Sequence, residues 1–82
     1  MNYHNALWKS IEHIANNNGV TCSRLAVQCG LDATAFNKSK QISPTGQPRW
    51  ISTQTLAKVL ETTDTSPKKF ATIFEKFMYT KN

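Results

Sequence analysis

Between residues 33 and 60 the chain carries Lys38, Lys40, Arg49 and Lys58 and not one Asp or Glu. All of its carboxylate side chains, Glu12, Asp32, Glu61, Asp64 and Glu75, lie outside that segment. Such a stretch suits an acidic partner, either nucleic acid or an anionic membrane surface. Other chemistries find less to work with. Cys22 and Cys29 are seven residues apart, which on one helix separates their Cα atoms by about 10 Å, beyond disulfide reach. A C-x6-C pair without a nearby His also misses the usual zinc spacings, and His4 and His13 do not share a helical face as i, i+4 ligands would. Two reduced thiols and no metal are expected, with Cys29 packed as a small apolar residue and Cys22 near a helix start. There is no Ser, His and Asp constellation with an elbow motif, no Gly-rich phosphate loop and no pair of carboxylates in one site. The expectation is a protein without intrinsic catalysis and without a cofactor.

Elements must position that basic segment, and composition limits what they can be. A chain of 82 residues suits one domain over 1–82, since it buries enough surface to fold but cannot divide into two cores. With 39% hydrophobic and 18% charged residues, it fits neither a disordered chain nor a membrane protein. No apolar run approaches the roughly 20 residues of a spanning helix. The start MNYHNALWKS lacks the pattern of a secretory signal, so the default compartment is the cytoplasm. Lys and Arg outnumber Asp and Glu 10 to 5, for a net charge of +5.

Leu7, Ile11, Ile14 and Ala15 recur at helical spacing with Trp8 beside them, predicting a helix over 5–18 that Gly19 stops. Thr21 is the expected N-cap of a second, with Leu25, Ala26 and Cys29 on one face and Gly30 at its end. Asp32 caps a third over 33–39, with Phe36 pointing inward. QISPTGQPRWI, with two prolines and a glycine, reads as a loop pinned by Ile42 and Trp50. Ser52 or Thr53 caps a fourth helix bearing Leu56, Ala57, Val59 and Leu60. Ser66 and Pro67 open a fifth with Phe70, Ile73, Phe74 and Phe77 as its apolar stripe. Five short helices and no strand signal predict an all-α domain. Met78 and Tyr79 extend the last stripe past what the core should need, which points to a dimer interface there.

Around Gly30 the offsets become specific. Ala26, Gly30, Leu31 and Phe36 stand at the spacing of the DNA-binding helix-turn-helix, here about 21–40, whose second helix enters the major groove. The run VTCSRLAVQCGLDATAFNKSK, followed by PRW and STQTLAKVL, resembles the DNA-binding domain of the lambda-repressor-like family. More narrowly, it resembles the N-terminal domain of phage-repressor-type regulators that, like LexA, carry a C-terminal self-cleaving peptidase domain.

That resemblance implies a five-helix lambda-repressor-like domain that binds two-fold DNA operators as a homodimer, in a bacterial or phage-derived cytoplasmic protein. It puts Ala33, Thr34, Asn37 and Lys38 toward base edges, and the chemistry agrees. Asn can pair with adenine, Lys can donate to guanine, and Ala or the Thr methyl can meet the thymine methyl. Phosphate contacts would fall on Thr21, Ser23, Arg24, Lys40, Arg49, Ser52 and Thr53. Two positions depart from the pattern. Cys22 stands where many members have Gln, and Ser39 stands where the motif has an aliphatic residue, leaving Ile42 or Trp50 to fill the gap. The expected function is thus a sequence-specific, duplex-DNA-binding transcriptional regulator. The alternative is a helix-turn-helix protein-interaction module, antitoxin-like or adaptor, without specific DNA binding.

Overall fold

Asn2 begins the first helix earlier than the apolar pattern alone suggests, because its side chain accepts a hydrogen bond from Asn5 N–H at 2.9 Å. In the computed structural model, which describes residues 2–79, four α-helices follow one another. They are α1 (Tyr3–Asn17), α2 (Cys22–Gln28), α3 (Thr53–Thr62) and α4 (Pro67–Met78). A single 3-10 turn, Lys38–Lys40, lies between α2 and α3. Among the described residues there is no β-strand, only an isolated antiparallel bridge between Ile42 and Pro48. The architecture is all-α.

Each α-helix starts on a side chain that takes up a backbone N–H otherwise left without a partner. Thr21 accepts from Arg24 N–H, Ser52 from Thr55 N–H and Ser66 from Lys69 N–H, the last with Pro67 at the first helical position. Three of the helices end in the same way. Val20 N–H reaches back to Ala15 C=O, Leu31 N–H to Ala26 C=O and Thr65 N–H to Leu60 C=O, each at about 3 Å. This closure needs a residue with positive φ just past the helix. Gly19 and Gly30 supply it at 68° and 78°, but after α3 the position falls to Asp64 at 52°.

The core gathers Trp8, Ile11, Ile14 and Ala15 of α1, Leu25, Ala26 and Cys29 at α2, Phe36, Val59 and Ile73. α1 is the centre of the arrangement, packing against both α2 and α4. Its inward face differs slightly from the one the spacing predicts. Leu7 is only half-buried, whereas Ala6 and Ser10 are enclosed. Ser10 is tolerated there because its hydroxyl donates to Ala6 C=O at 2.7 Å, so no polar atom goes unmet. On α3, Val59 is fully buried while Ala57 faces solvent. Both cysteines are free.

The third predicted helix, over 33–39, does not form as an α-helix. Ala35 N–H bonds Asp32 C=O and Asn37 N–H bonds Thr34 C=O, both three residues back, and Asn37 then turns extended at ψ 151°. The reason lies in the residues. Asp32 Oδ1 takes both the N–H and the hydroxyl of Thr34, a local alternative to helical bonding. With Ser39 exposed, Phe36 is the segment's one enclosed side chain, and a short helix that buries so little does not repay its ordering. The five expected helices are therefore four and a pair of tight turns.

Candidate nucleic-acid interface

Phe36 fixes where the candidate reading segment sits. Its ring is 5% exposed and meets Trp8 edge-on, centroids 6.5 Å apart, while Leu31 packs half-buried against the same core. The residues between and beyond these anchors stay outside. Ala33, Thr34, Lys38 and Lys40 are exposed, and Asn37 is half-buried. Asn37 precedes the 3-10 turn without using its side chain to cap it. The Thr34 hydroxyl, in contrast, is already committed to Asp32, leaving its methyl as the group with nothing else to do.

Asp32 brings a carboxylate to the edge of this basic segment. Its pKa is held below the ordinary 3.8, first by the Thr34 backbone N–H, then by the Thr34 hydroxyl, with Lys40 adding a smaller attraction. Hydrogen bonds to the ionised form keep it charged, so the turn is organised around an anion facing water.

Thr21, Asn37 and Lys38 line one cleft of about 340 Å³ together with Cys22, Glu12 and Gln41. The structure thus joins one expected phosphate contact to two expected base contacts along the gap between α1, α2 and the 31–41 segment. Ser23 and Arg24 are exposed on α2. Ser52 and Thr53 are exposed at the start of α3, where the Ser52 hydroxyl takes Thr55 N–H. Cys22, at the start of α2, is partly enclosed. Burial, and secondarily the charge of Glu12, push its thiol above the ordinary 9.0, so it stays neutral at physiological pH.

The expected loop over 41–51 is a tight hairpin over 41–49. Arg49 N–H bonds Gln41 C=O at 2.9 Å, Ser43 N–H bonds Gln47 C=O at 2.7 Å, and Gly46 N–H returns to Ser43 C=O. Pro44 follows Ser43, and Gly46 has φ 85°. This is a three-residue connection of type I turn and left-handed glycine. Neither expected pin is buried: Ile42 is 48% and Trp50 57% exposed. Two residues of α1, neither expected to touch this loop, hold the hairpin instead. Trp8 Nε1–H donates to Arg49 C=O at 3.0 Å. His4 Nε2 lies 2.9 Å from Gln41 C=O and 3.0 Å from Arg49 C=O, and since carbonyls only accept, that nitrogen carries the hydrogen. The signal was present as His4 and Trp8 one helical turn apart, and as Pro44 two residues before Gly46.

No helix among the described residues is long and apolar enough to cross a membrane, and no group of three or more candidate metal ligands occurs among them. No family model, curated protein or solved structure matches the chain.

Proposed function

We propose that this protein is a sequence-specific duplex-DNA-binding transcriptional regulator, the N-terminal domain of a phage-type repressor acting in the cytoplasm. The observation that carries the reading is the set of exposed cations and polar groups in residues 33–60, a segment with no carboxylate of its own, bordered by Asp32 and, in its cleft, by Glu12. Leu31 and Phe36 anchor the segment after α2, while Ala33, Thr34, Lys38, Lys40, Arg49, Ser52 and Thr53 remain uncovered. A domain that sinks two anchors and leaves this set in water has a chemistry suited to phosphates and base edges. The likeness of LDATAFNKSK and PRW to lambda-repressor-like sequences supports the same reading. Because the reading segment is two turns rather than a helix, it would meet the major groove with Asn37 and Lys38 at the junction between those turns. Homodimers on a two-fold site follow from the family likeness, with the end of α4, where Tyr79 is 67% exposed, as the contact between copies.

A protein-interaction module is the competing reading. Selection of bound fragments from random duplex DNA, followed by salt titration, separates the two. Binding through phosphates should lose about 0.9 log units of affinity per contact for each log unit of salt, and the selected fragments should share a two-fold repeated half-site. Undetectable or salt-insensitive duplex binding would reject DNA recognition in favour of the interaction module.

A further inference from the structure

The hairpin over 41–49 is built more firmly than a connection between two helices requires. Two cross-strand hydrogen bonds and a glycine turn close it, and three donor contacts from α1 hold the carbonyls of Gln41 and Arg49. Core packing does not account for this, because the tip residues are exposed and so are Ile42 and Trp50. The charge pattern is one-sided. Lys40 and Arg49 stand at the two feet, and the tip, Pro44 to Gln47, carries no charge. Drawing the foot carbonyls toward His4 and Trp8 also removes acceptor dipoles from the outer side, where an anion would otherwise be repelled.

We propose that this hairpin is a second DNA-contacting element, a wing whose feet, Lys40 and Arg49, sit on backbone phosphates while its uncharged tip runs beside the duplex. His4 and Trp8 are positioning residues for it. The proposal rests on the DNA-binding reading, which already sets Lys40 and Arg49 against phosphates, and adds the fixed hairpin that presents them, its tip, and the α1 side chains that hold it. Rigidity has a purpose in such an element, since a hairpin already fixed loses little conformational freedom on binding, and phosphate contacts from a fixed arm set the register in which bases are read.

The test uses a duplex selected by the wild-type chain and random duplex alongside it. Affinity is measured against salt for wild type, for the double variant Lys40→Gln/Arg49→Gln, and for a tip variant, Thr45→Glu/Gln47→Glu. These side chains are exposed, and unchanged melting without DNA verifies that each variant folds. The foot variant should flatten the salt slope by about 1.8, two contacts at about 0.9 each. The tip variant, which sets carboxylates against phosphates, should bind both duplexes about tenfold more weakly. Hydroxyl-radical protection should shrink on the backbone flanking the half-site in both. Unchanged slope, affinity and protection in both hairpin variants, with Arg24→Gln still flattening the slope, would overturn the wing and leave the DNA-binding reading standing. A wild-type chain that binds no duplex in a salt-dependent way would overturn both.

Discussion

Cys22 opens α2, a position where the helix dipole ordinarily favours a thiolate, yet its thiol is pushed the other way. Burial is the larger cause and the Glu12 carboxylate the second. An acid whose pKa is higher folded than unfolded keeps its proton in the native state while the unfolded chain releases it. Stability is then complete below the ordinary value of 9.0 and declines as pH rises through it. Urea melts from pH 7 to 10 should show that decline in the wild type, and Cys22→Ala should flatten it; identical profiles would show that the environment of Cys22 does not disfavour the thiolate. Asn37 raises a different question, since its half-buried side chain leaves the 3-10 turn uncapped and lines the cleft with Thr21 and Lys38. As a base reader, Asn37→Ala should lose roughly 1 to 3 kcal/mol on the selected duplex and relax one base position. Equal losses on selected and random duplex would reassign it to the backbone.

Helix ends in this protein repeat one closure three times, and the third instance is strained. Asp64 adopts φ 52° where α1 and α2 use glycine, a conformation a side chain disfavours. Asp64→Gly should stabilise the domain by about 0.5 to 1 kcal/mol, measured as an increased urea midpoint at unchanged m-value. The helices themselves were legible from residues with local meaning. Thr21, Ser52 and Ser66 cap, Gly19 and Gly30 stop, and Ile11, Ile14, Leu25, Val59 and Ile73 repeat at helical spacing. What was not legible was settled by competition or by distance. Asp32 is expected to cap a helix over 33–39, but its Oδ1 takes both the N–H and the hydroxyl of Thr34, and without an apolar residue at 39 no α-helix follows it. The hairpin escaped because its supports lie roughly 40 residues away on α1, a separation that periodicity cannot register. At the candidate interface, residue types were readable while their shared geometry was not: the grouping of Thr21, Asn37 and Lys38 in one cleft depends on how Phe36 meets Trp8.

At the scale of the whole molecule, α1 serves two masters. Its inner face carries the core with α2 and α4, and the turn bearing His4 and Trp8 grips the hairpin. A disturbance of either is therefore felt by the other, and the basic segment from 33 to 60 is tied to α1 at two points, by Phe36 against Trp8 and by the Arg49 carbonyl. The two tryptophans stand in opposite circumstances within this arrangement, Trp8 at 6% exposure and Trp50 at 57%, with the His4 ring in contact with both. The protein thus contains its own optical gauge. Iodide, drawn to the cationic surface, can collide with the indole of Trp50 but not with that of Trp8, so the quenchable share of the emission follows the hairpin and the shielded share follows the core.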